Sequence, residues 1–189
     1  MGPRAVFNRK HLPGDTEKVA TDLRATLLPL LGGCLDGSER TLLDFGCGYG
    51  RLTSDFGALI HGTAIGVDPV SALLDHAVAD ERTEFRLMRE GRIPMADASA
   101  DVITIVLVLC NITRPRELAA TIAELQRVLA PRGLVFLVDN TGPIRKQPHH
   151  VRNRSDTEYI ELFSFTRMQR IGGYDDIGES FSVLAGRLR

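Results

Sequence analysis

The stretch TLLDFGCGYGRL, Thr41 to Leu52, runs from an apolar segment into glycines at alternate positions, with an acid just ahead of them. The residues before the glycines read as a short buried strand and those after Arg51 as a helix. The glycines therefore make a strand-to-helix turn. Gly46, Gly48 and Gly50 permit positive φ and carry no Cβ, so a ligand can approach the backbone closely. The helix beyond aims its free N-terminal amides at that ligand.

Working outward, GDTEKVATDLRATLLPLLGG predicts a helix with Val19, Leu23 and Leu27 on one face, Pro29 near its last turn and Gly32-Gly33 closing it. Downstream, GTAIGVD is a second strand, VSALLDHAVA a helix and TEFRLMRE a third strand. DVITIVLVL, Asp101 to Leu109, is the most apolar run, and its branched residues suit a central parallel strand covered on both faces. Leu118, Ile122, Leu125, Val128 and Leu129 recur at helical spacing behind Pro115, and GLVFLVDN supplies a fifth strand. Ser155 and Glu158 form a capping-box pattern before EYIELF, and RMQRIGGYDD with SFSVLAGRLR reads as a hairpin.

This alternation predicts an α/β fold: a doubly wound, mostly parallel seven-stranded sheet with an antiparallel last strand and helices on both faces. We expect one domain over 1–189. Residues 1–40 form an N-terminal helical segment, of which the opening stretch AVFNRKHL either folds over the site as a lid or is disordered. Residues 41–140 form the ligand-binding core, 141–166 a substrate-side insert and 167–189 the C-terminal hairpin.

A hydrophobic content of 43% and a net charge of −1 describe an ordinary globular chain and argue against a general polyanion binder, so nucleic acid is not an expected partner. The three cysteines, Cys34, Cys47 and Cys110, have no CxxC spacing, which suits free thiols in a reducing cytosol. MGPRAVFNRKHLPG has no apolar leader core, and no apolar run is long enough to cross a membrane. The expectation is a cytoplasmic monomer or homodimer with no membrane association.

In an open α/β sheet the ligand lies beyond the carboxyl ends of the strands, where strand order reverses. Dinucleotide sites use GxGxxG, but here Arg51 stands where the third glycine belongs. Asp44 would also repel a pyrophosphate and better suits a ligand with a cationic group. S-adenosylmethionine, with an ammonium, a sulfonium and no phosphate, fits that chemistry. Asp68, ending the second strand, can accept hydrogen bonds from both ribose hydroxyls. Pro69 and Val70 can flank the adenine, and Glu90-Gly91 can meet its amino group. Cys47, between two glycines, belongs to the same loop as a small residue.

LDFGCGYGRL, GVDPVSALL, ADVITIVLVL and LQRVLAPRGLVFLVD, in this order, resemble the class I SAM-dependent methyltransferase family. The resemblance covers about Thr41 to Asn140 and implies a seven-stranded sheet with an antiparallel last strand. It also implies that Asp44, Gly46 and Gly48 hold the methionine end, Asp68 the ribose and Glu90 the adenine. The chain departs from the family at Arg132, where a second glycine is common, and in a shortened loop before Pro94.

The expected activity is methyl transfer to an oxygen or nitrogen of a small, anionic acceptor. Val106, Leu107 and Asn111 would line the gap between donor and acceptor. Cys110 lacks the proline context of a nucleophilic cysteine and reads as a buried thiol. PIRKQPHHVRNR, Pro143 to Arg154, holds many cations and no acid. From it Arg145, Arg152 and Arg154 are candidate contacts to the acceptor's anion, and His149 or His150 is a candidate general base. A lone His-His pair offers no metal site. The alternative readings are an NAD-dependent oxidoreductase, a non-catalytic SAM-binding module, and a methyltransferase acting on RNA or protein.

Overall fold

A computed structural model describes residues 16–142 and 151–189. The chain opens on α1 (Thr16–Gly32) and then alternates through β1 (Thr41–Phe45), α2 (Thr53–Gly57), β2 (Thr63–Asp68), α3 (Ser71–Leu74) and β3 (Thr83–Leu87). It continues with β4 (Ala100–Val106), α4 (Pro115–Val128), β5 (Leu129–Asn140) and α5 (Asp156–Leu162), and ends in a hairpin of β6 (Gln169–Asp176) and β7 (Glu179–Arg187).

Among the described residues, seven strands form one sheet in the order β3-β2-β1-β4-β5-β7-β6. Strands β1 to β5 are parallel, and β7 lies antiparallel between β5 and β6. The expected architecture is present. Strand order reverses between β1 and β4, where Asp44 pairs with Thr104 and Phe45 with Ile105. That point is where a doubly wound sheet opens a crevice.

Alternating side chains along each strand build two cores, because successive Cβ atoms leave opposite faces. Leu43, Ile103, Val135 and Leu137 meet Leu118 and Leu125 of α4 and Tyr159 of α5 on one face. On the other, Leu42, Val102, Phe136 and Val183 meet Leu23 and Leu27 of α1 and Phe56 of α2.

Three boundaries differ from the sequence expectation, each for a local reason. The helix in VSALLDHAVA ends after one turn, since Leu73 is its one buried residue and Val78 is 78% exposed. Strand β4 stops at Val106, because Leu107 turns into the left-handed region with φ 59°. Leu129 starts β5 instead of ending α4, taking extended angles as the cap of that helix. The capping box of α5 forms as expected, with Ser155 Oγ accepting from the Glu158 amide and Glu158 accepting from the Ser155 amide. Among the described residues no helix is long and apolar enough to cross a membrane.

Candidate active site

The glycine turn takes the conformation its sequence requires. Gly46, Gly48 and Gly50 have φ of 72°, 61° and 78°, all left-handed. A Cβ on Gly46 would lie 2.6 Å from Val108, and one on Gly50 would lie 2.5 Å from the Phe85 ring. Gly50 thus serves packing of the loop onto β3. The Gly46 and Cys47 amides donate to the Val67 carbonyl at 2.8 and 3.1 Å, which pins the turn to β2.

Two carboxylates frame this turn. Asp68 ends β2 and is nearly buried, with Oδ2 accepting from the Gly48 amide and Oδ1 from the Val70 amide, each at 2.9 Å. Each oxygen keeps a further lone pair for a ligand hydroxyl. Asp44 is buried at the end of β1, where it accepts from Thr53 Oγ1 at 2.6 Å and Thr104 Oγ1 at 3.0 Å. Burial pushes its carboxyl up to about 6, against the pull of both hydroxyls and the Arg51 charge. A buried carboxylate with this tendency to protonate is stabilised by a cation, which matches the ammonium of an amino-acid end.

The hydroxyls of Thr53 and Thr104 escaped the sequence reading. Thr104 carried a signal, since it is the one hydroxyl inside the apolar run of β4; Thr53 carried none. Gly66 and Phe85 were missed as well. The Phe85 ring lies where a Gly66 Cβ would be, 2.6 Å away, with the Cys47 sulfur at 2.9 Å. Burial raises the Cys47 thiol well above its ordinary value, as expected of a packed small residue.

The other expected residues fall into three groups. Pro69 is exposed and Val70 half-buried directly after Asp68, while Glu90 and Gly91 form the exposed tip of a two-residue turn with φ of 51° and 73°. The Arg92 amide closes that turn on the Arg89 carbonyl at 2.9 Å, and the Met88 amide donates to the Asp68 backbone carbonyl at 3.0 Å. Met88, packed against the core, therefore stands between the Asp68 level and the Glu90 tip.

On the acceptor side, Val106 and Leu107 are half-buried, and Asn111 is exposed with Nδ2 donating to the Leu107 carbonyl at 3.0 Å. Its Oδ1 is the atom left to face a ligand. Cys110 is buried, and burial together with the neighbouring Asp139 charge raises its thiol. Arg152 is exposed and pairs with Glu158 at 3.4 Å. Arg154 is only 3% exposed and donates to the carbonyls of Leu109 and Ile112, both at 2.7 Å. Arg145, His149 and His150 lie outside the described residues.

A reversed-order sheet whose first strand ends in a left-handed glycine turn between two acids is the frame of a class I SAM-dependent methyltransferase. Residues 43–137 match the model of a methyltransferase domain family. The chain belongs to that family. It is 33% identical over 112 residues to the thiol S-methyltransferase TMT1B of Rattus norvegicus, a match covering 56% of this chain and 44% of that protein. An uncharacterized methyltransferase of Schizosaccharomyces pombe is 34% identical over 107 residues, 50% of this chain and 37% of that one. The matched stretches thus span less than half the length of these relatives. A SAM-dependent methyltransferase from Aquifex aeolicus shares the fold with a TM-score of 0.68, at 19% identity over 94% of this chain and 99% of that one.

Proposed function

We propose that this protein methylates a small molecule and that the acceptor atom is sulfur. The observation that carries the methyl-transfer reading is the pair of buried carboxylates, Asp44 and Asp68, converging on a left-handed glycine turn where strand order reverses. In this reading Asp68 accepts from the ribose hydroxyls and the backbone of Gly46, Cys47 and Gly48 lies against the methionine end. Asp44 faces the ammonium, and Pro69 with Glu90-Gly91 bounds the adenine. When bound, S-adenosylmethionine supplies an electrophilic methyl on a sulfonium whose leaving group is a neutral thioether.

The chain's own work is alignment. Val106 and Leu107 wall the gap, Asn111 Oδ1 orients the acceptor, and Arg152 with Arg145 meets any anionic group on it. Holding the nucleophile in line contributes up to about 7–11 kcal/mol in well-oriented systems. Sulfur is supported by the name of the rat relative and by the apolar wall, since an ionised sulfur is more reactive where water is excluded. A thiol ionises near pH 8.5 unaided, so the imidazole of His149 or His150, the residues proposed as base, needs only to draw off a weakly held proton.

The test uses 2-phenylethanethiol, 2-phenylethanol and 2-phenylethylamine, which share one frame and differ in the acceptor atom. Mass spectrometry after incubation with SAM is expected to find the methyl thioether formed at least about tenfold faster than the ether or N-methyl amine. Methylation of the alcohol or amine alone overturns the choice of sulfur. Binding of SAM with no product from any of the three overturns the reading that a small molecule without an anionic group is accepted.

A further inference from the structure

The short turn Leu109–Asn111, which carries the chain from β4 toward α4, is gripped by two buried charges from opposite sides. On one side the Cys110 amide donates to Asp139 Oδ2 at 3.0 Å, and the other oxygen of Asp139 accepts from the Asn140 amide at 2.8 Å. On the other, Arg154 Nη1 and Nη2 donate to the Leu109 and Ile112 carbonyls, while the Arg152 amide takes the Cys110 carbonyl at 2.7 Å. Asp139 is fully buried and Arg154 nearly so. Removing a carboxylate and a guanidinium from water is unfavourable for each. A three-residue turn can be closed by apolar packing without that expense.

What the grip holds is strained. Leu107, near the start of the turn, sits at φ 59°, in the left-handed region that a bulky side chain disfavours. Such a backbone persists where its surroundings over-determine it. Here the Leu107 amide is bound to the Val138 carbonyl at 2.8 Å and its carbonyl to Asn111. Val108, the next residue, packs on Gly46 of the cofactor turn. The clamp therefore sets the spacing between the acceptor wall and the glycine loop.

We propose that Asp139 and Arg154 are positioning residues for methyl transfer: by holding the Leu109–Ile112 turn they keep Leu107 and Asn111 where an acceptor meets the transferable methyl. The proposal rests on the methyl-transfer reading, and it places the pair's effect on alignment and not on cofactor affinity. The groups facing Asp139 are the Cys110 thiol, the Tyr159 hydroxyl of α5 and Ser182 opposite it on β7, with Arg154 beside Cys110 and Tyr159. Burial raises the Asp139 carboxyl. Its protonation puts an O–H where two amides already point, so the grip loosens in acid.

The test compares Asp139→Asn and Arg154→Lys with the wild type by SAM calorimetry and by single-turnover methyl transfer at saturating SAM. The acceptor is 4-nitrothiophenol, whose nitro group makes it far more acidic than a cysteine thiol, and the pH is kept within the range where it is fully ionised. SAM affinity is expected to stay within about threefold, and the transfer rate to fall about 10-fold to 100-fold in both variants. As the pH is lowered within that range the wild-type rate falls, while Asp139→Asn stays flat at the low value. An unchanged rate and pH profile in Asp139→Asn overturns the proposal, as does loss of SAM affinity in step with the rate. If the wild type does not methylate the probe, the sulfur reading fails. The clamp is then judged by hydrogen exchange: unchanged protection of the Cys110 amide in Asp139→Asn overturns it.

Discussion

Asp44 shows most directly how a single side chain links folding to ligand. Its carboxyl titrates near 3.8 in an unfolded chain and near 6 in this fold, because burial disfavours the ion. Between those values the folded state holds the extra proton, so stability falls as pH rises from about 4 to about 6. Two pH units correspond to about 3 kcal/mol. Asp44→Asn removes the titration, and its denaturant midpoint without ligand is expected to exceed that of the wild type at pH 8, the gap closing toward pH 4. Calorimetry gives the complementary result. A bound ammonium favours the ion, so wild-type affinity for SAM weakens as pH drops below about 6, whereas the variant binds weakly at every pH. A wild-type affinity that does not vary between pH 5 and 8 counts against the Asp44–ammonium contact.

At the level of elements, the start of β5 carries a correctable defect. Arg132 has φ 65° on an exposed bend, at the position where the sequence departs from the family's common glycine. Its carbonyl accepts from Arg187 Nη1 at 3.1 Å, a bond that survives any change of side chain. Arg132→Gly is expected to stabilise the chain by about 1 kcal/mol, or about 2–4 °C in Tm, measured by calorimetric scan. A lowered Tm instead means that the arginine side chain contributes more than its backbone strain removes.

The same elements show what the sequence could reveal. The glycine turn and the Ser155–Glu158 box are local patterns and formed where expected, and the apolar run of β4 formed its strand but ended it early, at Val106. The end of α3 was hidden, because it depends on what Val78 finds to pack against. Leu107 was hidden too, since nothing in VLVLC announces a left-handed leucine. The clamp joins Cys110 to Asp139, 29 residues away, and Arg154 to Leu109, 45 residues away. No window of sequence contains such pairs. The place of Asp68 at the end of the second strand could be read from the sequence, whereas the turn through Met88 to Glu90 beside it depends on backbone bonds that no motif announces.

For the whole molecule, ligand and fold are linked through the crevice. A ligand at 100 times its Kd adds about 2.7 kcal/mol to the folded state. SAM is expected to raise Tm by several degrees, NADH to leave it unchanged, and Asp68→Ala to abolish the SAM shift. Stabilisation by NADH together with indifference to SAM reverses the cofactor assignment.

Strand β7 lies inside the sheet, flanked by β5 and β6. A nascent polypeptide that has reached Asn140 already possesses every parallel strand, yet the outer margin of β5 stays bare, with open amides and carbonyls that invite foreign strands. Only the arrival of Glu179–Arg187 seals it. Ribosomes stalled between those points therefore carry a sticky intermediate, so chaperone demand should peak in that window of synthesis and vanish once the last strand slots home.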